Sequence, residues 1–136
     1  VLYQWEAAKK ACPSGWHLPS DEEWKQLEME LGMSKADADD TGYRGDPVGS
    51  KLKSTSGWYN NGNGTNESSF SALPGGYRYY SDGSFSNESL YAAFWSGSPF
   101  GSSSAWSRKL YYDGGEVDHY DWSRKYGVSV RCVRDY

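Results

Sequence analysis

The chain predicts an α+β domain rich in loops, and three observations carry that expectation. Helix signals are confined to the residues before Gly32. Apart from one short hairpin signal, strand-like alternation runs from Tyr91 onward. Between them the text is dominated by Gly, Asn and Ser, the residues of turns. Helices and strands segregated along a chain suit α+β better than alternating α/β. With 136 residues, a single domain over residues 1–136 with one core is expected.

The elements follow in order. Leu2, Trp5, Ala8 and Cys12 share one stripe, which predicts a short helix from Leu2 to Ala11. Pro13 and Gly15 break it. Ser20 then opens a second helix, with Glu23 completing a capping box and Asp21 and Glu22 suiting the positive end of the helix dipole. Trp24, Leu27 and Leu31 give that helix its buried face, and Gly32 stops it. An acidic, irregular loop with Asx turns is expected next. Asp37, Asp39, Thr41 and Gly42 match the first half of a calcium loop, but Val48 stands where the bidentate Glu is required. Phe70 and Leu73 are expected to anchor the loop that follows. Residues 76–85, GYRYYSDGSF, predict a hairpin around Ser-Asp-Gly. YAAFWSGS, SAWSRKLYY and GVSVRCVRD are three candidate strands, and the stretch between the last two is expected to be a loop with Val117 buried.

Composition narrows the function. Aromatic residues make up 17% of the chain and Ile is absent, so the core must be built largely from rings. A net charge of −4 disfavours a nucleic-acid partner drawn by bulk charge. No apolar run is long enough to span a membrane. The start at Val1 suggests a domain excised from a larger protein. Two Cys and two His without ligand spacing make a metal site, and any cofactor, unexpected. Cys12 and Cys132 are either unlinked buried thiols or a bridge closing almost the whole chain. A loop-rich domain with few aliphatics favours the bridge. The sequons at Asn63, Asn66 and Asn87 would matter only in a glycosylating pathway.

Trp106 to Trp122, WSRKLYYDGGEVDHYDW, interleaves large polar-tipped rings with acids and bases. Tyr and Trp offer contact area at low entropy cost, and Ser, Gly and Asp add adaptable hydrogen bonds, which is the chemistry of antibody loops. Along SAWSRKLYY, Trp106, Arg108 and Leu110 alternate with Ser107, Lys109 and Tyr111, so framework and displayed residues are expected to interleave. Asp118-His119-Tyr120-Asp121-Trp122, taken as a loop, is too polar to be wholly buried. No catalytic residue is assigned. His17, beside Trp16 and Leu18, is expected to be structural. His119 could pair with Asp121 or Glu116 as an acid–base couple, but a lone His among surface acids is usually solvated.

The order CPSGWHLPSDEEW, GSKLKSTSGW, GTNESSFSALPGGYR, DGSF, FWS, AWSRKL and VSVRCVRD closely resembles the Fibrobacter succinogenes major paralogous domain, from about Ala11 to Asp135. That resemblance implies a C-type-lectin-like fold, two helices flanking small antiparallel sheets with the termini together. It also implies that Cys12 and Cys132 occupy positions able to pair. Family members are common in secreted and surface proteins of Bacteroidota and some phages, so a cell-surface or extracellular setting is expected: a lipoprotein, a pilus tip or a phage particle. Some members look like variable proteins of diversity-generating retroelements, diversified toward the C-terminus. Here the equivalent runs from about Trp95 to Arg131, with Trp95, Trp106, Arg108, Leu110, Val117 and Val130 as scaffold. The displayed, ligand-binding positions would be Phe100, Ser103, Ser107, Lys109, Tyr111, Tyr112, Asp113, Asp118, His119, Tyr120, Asp121 and Trp122. Most are reachable by mutating adenines of an Asn codon; Lys109 and Trp122 are not. The expected function is an adhesin- or receptor-like module that binds a protein or glycan on another cell or surface. The alternatives are a structural or pilus subunit without variable recognition, and a calcium-independent glycan binder. The sugar-binding triplets of the calcium lectins do not occur, nor do the paired active-site cysteines of the formylglycine-generating enzymes.

Overall fold

The computed structural model describes residues 1–79 and 81–135. Its mixed helices and small antiparallel sheets make an α+β fold. In chain order the elements are α1 (Trp5–Ala8), β1 (Trp16–His17), α2 (Asp21–Glu30), α3 (Lys35–Asp39), β2 (Gly42–Arg44), α4 (Val48–Leu52), a 3-10 turn (Tyr59–Asn61), β3 (Tyr77–Arg78), β4 (Phe85–Ser86), β5 (Tyr91–Phe100), β6 (Ser104–Tyr111), β7 (Val117–Ser123) and β8 (Val133–Arg134). A four-stranded sheet in the order β2-β7-β6-β5 forms the centre, and β1-β8 and β3-β4 are two-stranded ribbons.

The second helix forms as its sequence dictates. Ser20 Oγ accepts from Glu23 N–H at 3.1 Å, and the Glu23 carboxylate accepts from Ser20 N–H at 2.9 Å, a closed capping box. Gly32, at φ 111°, lets the chain turn away from it. The first helix is shorter than its stripe predicts. Tyr3 instead exchanges both backbone hydrogen bonds with Val128, at 2.8 and 2.9 Å, so its residues start a strand-like bridge and the helix begins only at Trp5. The predicted acidic loop is instead a short helix, α3, and the edge strand β2. Ser34 caps α3, and Asp39 pairs with Lys25 and Lys35 at 3.3 and 2.8 Å. The hairpin around Ser-Asp-Gly forms as β3 and β4; Tyr80 within it lies outside the described residues.

Two strand expectations change. Val117–Ser123, taken as a loop, is β7 and pairs with both β6 and β2. Its alternation is masked in the sequence because two buried side chains on opposite faces, Asp118 and His119, are polar: Asp118 meets Lys109 of β6, and His119 meets the remote Asp21 and Asp40. Conversely, GVSVRCVRD is not one strand. It bridges to β5 at Ser129, then leaves to bring Cys132 to Cys12 and to pair β8 with β1. The Cys12–Cys132 disulfide is formed and joins the two ends of the chain.

The sheet separates two hydrophobic clusters. On the α2 side, Trp24, Leu52, Trp58, Phe94, Leu110 and Val117 pack together, with Phe70 against them. Trp24, Phe70 and Phe94 are mutual neighbours at centroid distances of 5.4–5.8 Å. On the other side Trp5, Ala93, Trp95, Ala105 and Val128 pack together, with Trp122 and Tyr126 at the margin. The core is not built largely from rings: alanines and aliphatic side chains outnumber them in both clusters, although the largest members of each are rings. Their polar tips find backbone oxygens: Trp5 and Trp95 donate to Ser96 O and Tyr3 O, each at 2.8 Å. Leu73 does not anchor its loop; it is two-thirds exposed, and Phe70 with the fully buried Ala72 makes the contact. Close backbone approach fixes the β6–β7 connection: Gly49 N–H donates to Gly115 O, and a methyl group on Gly49 would overlap the Glu116 carbonyl.

Candidate binding surface

Cross-strand register assigns each side chain of the central sheet to a face. Arg108 stands opposite His119 and Phe94, and Lys109 stands opposite Asp118 and Ala93. Arg108 and His119 therefore point to α2, and Lys109 and Asp118 to the other side. Neighbouring residues of one strand thus enter two different environments.

The face toward α2 is sealed by charge. Glu28 is fully buried on the same helical stripe as Asp21 and Trp24. It accepts from both terminal nitrogens of Arg44 at 2.8 Å and from Arg108 Nε at 2.9 Å. Arg108 also donates to Asp21 Oδ1 at 2.6 Å, and the Asp21 carboxylate meets His119 Nε2 at 3.1 Å. Burial alone would raise the Asp21 pKa. The His119 hydrogen bond and the Arg108 charge outweigh it and hold the carboxyl at about 2. His119 is a correction to the displayed set: it is buried, its other nitrogen faces Asp40 O at 2.8 Å, and neither Asp121 nor Glu116 is its partner. Trp106 covers it at 4.4 Å between ring centroids, and Phe100 lies edge-on to Trp106 at 4.8 Å. Around these rings, Thr41, Gly42 and Asp121 help line a cleft of about 420 Å³.

The opposite face is covered in part by the Trp5–Trp95 cluster, and beyond that cluster it exposes Tyr43 and Tyr120. Lys109 Nζ lies at its centre, 4.7 Å from the Tyr91 ring centroid, 5.9 Å from Tyr43 and Tyr120, and 5.7 Å from Trp122. Tyr43 and Tyr120 are half exposed, at 52% and 50%. From this centre the rings continue both ways. Tyr91, Tyr111, Tyr112 and Tyr59 follow one another at 4.6, 4.7 and 5.2 Å. Toward the other end, Trp122 meets Tyr77 and Tyr126 at 4.9 Å each, and Tyr126 meets Tyr79 at 5.4 Å. The result is an aromatic band with phenol tips, notched by a cleft of about 310 Å³ beside Tyr120 and Trp122.

Beneath Lys109, Asp118 Oδ2 lies 3.5 Å from the ammonium, and Asp118 Oδ1 is buried without a hydrogen-bond partner among the described residues. Burial raises the Asp118 pKa, and Lys109 offsets that only in part. Burial, and then the Asp118 charge, push Tyr43 up to about 12, so it stays a neutral phenol.

The predicted display residues therefore divide. Lys109, Tyr111, Tyr120 and Trp122 come together on that face; Tyr112 touches Tyr111 at its edge but also packs against the α2-side cluster. Asp118 shares that face but is buried under Lys109 rather than displayed. Ser107 is likewise buried, because the Trp5–Trp95 cluster covers its part of the sheet; its hydroxyl donates to Tyr120 O at 2.8 Å. Phe100 and Asp121 flank the Trp106 cleft, away from Lys109. Asp113 and Ser103 are exposed in the turns at the two ends of β6, and neither joins the band. Trp122 is partly buried, so it serves packing as well as display.

Sequence reasoning missed Tyr43, Tyr59, Tyr77, Tyr91 and Tyr126, which reach the band from distant segments. No local pattern marks them. The buried ionic network did leave a signal: Glu28 occupies the stripe of Trp24, and Arg108 sits between Trp106 and Leu110 at inward positions, so each required a buried partner.

No curated protein and no solved structure matches the chain. The sequence profile of the Fibrobacter succinogenes major domain matches residues 1–134. The chain belongs to the Fibrobacter succinogenes major domain family.

Proposed function

We propose that this domain is a binding module whose ligand, a protein or glycan on another cell or surface, docks on the aromatic band around Lys109. The observation that carries the reading is the half-exposed pair Tyr43 and Tyr120, set on a rigid sheet beside Trp122. Rings with hydroxyl tips combine area with orientation at small entropy cost, and a sheet backbone holds them in place. The proposal includes a C-type-lectin-like fold, supported by the joined termini and by α2 packing on one face of the sheet. It includes an extracellular or cell-surface setting, with which the disulfide agrees. It also includes diversification by a retroelement of positions between Trp95 and Arg131, with Lys109, Tyr111, Tyr120 and Trp122 as the positions that matter for recognition. Sibling genes differing only within that interval, next to a reverse transcriptase gene, would support that last part; siblings varying evenly over the chain would refute it.

A glycan and protein array identifies the ligand class. Tyr120→Ala and Tyr43→Ala are then expected to abolish capture while shifting stability by less than about 0.5 kcal/mol, the usual range for surface substitutions. Undiminished capture by both variants would place the ligand elsewhere.

A further inference from the structure

A third concavity lies apart from the aromatic band and shares no residue with it. It forms where α2, the Phe70 loop and the C-terminal stretch meet, and it encloses about 300 Å³. That is the small end of ordinary small-molecule sites, roughly 300–1,000 Å³. Pro19, Trp24, Leu27, Phe70 and Val133 make its walls apolar.

Its charged groups are unequal. Glu23 is spent: its carboxylate accepts from Ser20 N–H and meets His17 Nε2, each at 2.9 Å. The hydrogen bonds that His17 donates to Asp135 and Glu23 raise its pKa, which favours the cation that balances Glu23. Arg131 is not spent. One N–H donates to Phe70 O at 2.7 Å and its guanidinium carbon lies 4.2 Å from the Phe70 ring centroid, but no carboxylate among the described residues pairs with it. Four of a guanidinium's five donors thus have no protein acceptor among the described residues. Burial lowers its pKa with no counter-charge to offset the cost. Trp24, also in the wall, has a buried indole N–H without an acceptor among the described residues. The concavity therefore offers donors, a cation and apolar walls, and its one acid is already paired.

We propose that this groove binds a small apolar carboxylate, with the acid on Arg131 and the hydrocarbon body against Trp24, Leu27 and Phe70. A planar guanidinium with parallel donors matches a carboxylate, and a partly buried site strengthens the pair.

The test is titration of the intact domain with 4-phenylbutyrate and with 4-phenylbutylamine, read by tryptophan fluorescence and by the indole resonance of Trp24. The acid is expected to saturate and move the Trp24 signal, with the amine at least about tenfold weaker. Arg131→Gln should weaken the acid by about tenfold or more, the size of one charge-assisted hydrogen bond. Arg131→Lys, which keeps the charge but not the parallel donors, should bind the acid more weakly than the parent and more tightly than Arg131→Gln, and Tyr120→Ala should bind the acid as the parent does. Equal binding of amine and acid, no saturable change at Trp24, or an Arg131→Gln variant that binds unchanged would overturn the proposal. If Arg131→Gln does not fold, the preference of the parent protein for acid over amine decides alone.

Discussion

The two faces of the central sheet are made by alternate residues of the same strands, yet they solve opposite problems. Toward α2, Arg108, Arg44, Glu28, Asp21 and His119 are all buried and bonded to one another. Away from α2, Lys109 and Asp118 form a single looser pair at 3.5 Å under exposed rings. The aspartates record the difference. Asp21, surrounded by cations, is held down at about 2, whereas Asp118, buried with one incomplete partner, is raised. Toward α2 both carboxylates are fully paired although Arg44 Nε has no partner among the described residues, whereas Asp118 keeps an unpaired oxygen, and an unsatisfied carboxylate leaves capacity for something else.

The largest expected effect breaks the closed face. Glu28→Ala leaves Arg44 and Arg108 buried without their shared acid and should cost about 3–5 kcal/mol in urea denaturation. A loss under about 1 kcal/mol would mean the two faces differ less than their geometry suggests. Next, Trp122→Ala removes a partly buried ring packed on Tyr77 and Tyr126. It should cost about 2 kcal/mol, below the 3–5 typical of a fully buried ring. A change as small as that of Tyr120→Ala would make Trp122 a display residue only.

Acid titration sharpens the contrast further, since the two aspartates act with opposite sign. The Asp21 contribution is complete above the ordinary value of 3.8 and is lost as pH falls toward about 2. The Asp118 carboxylate is destabilising above its raised folded value, and that cost is relieved as pH falls from there through 3.8. Urea midpoints from pH 5 to 2 should therefore fall in the parent, fall less in Asp21→Asn and fall more steeply in Asp118→Asn. Parallel curves would refute the assignment. The smallest effect lies outside the sheet. His17, raised by Asp135 and Glu23, contributes below its ordinary 6.5, and the contribution disappears as pH rises through its folded value. His17→Gln should flatten a slight alkaline decline in thermal midpoint, and an unchanged pH profile would exclude a contribution from the His17 contacts with Glu23 and Asp135.

Some of this organisation was legible before any coordinates. Ser20 and Glu23 are three residues apart, so their capping box is a local fact. β6 alternates cleanly, and Trp106, Arg108 and Leu110 do share the inward side. Failure came where the partner was remote. Asp118 and His119 look like solvent-facing residues until Lys109, Asp21 and Asp40 are brought beside them. The same remoteness concealed β7, because buried polar residues defeat a hydrophobic pattern.

The sequence by itself determined the fold class, the α2 boundaries, the burial of Trp5 and Trp24 and which residues of β6 face inward, because these depend on neighbours a few positions away. Only the tertiary structure decided that Asp118, His119 and Ser107 are buried, and that Tyr43, Tyr77 and Tyr91 join Lys109 on one surface. Burial of a polar side chain depends on whether a partner arrives from elsewhere in the chain. Here Asp21 and Asp40 reach His119 across 98 and 79 positions. A separation of that size leaves no periodic trace in the sequence.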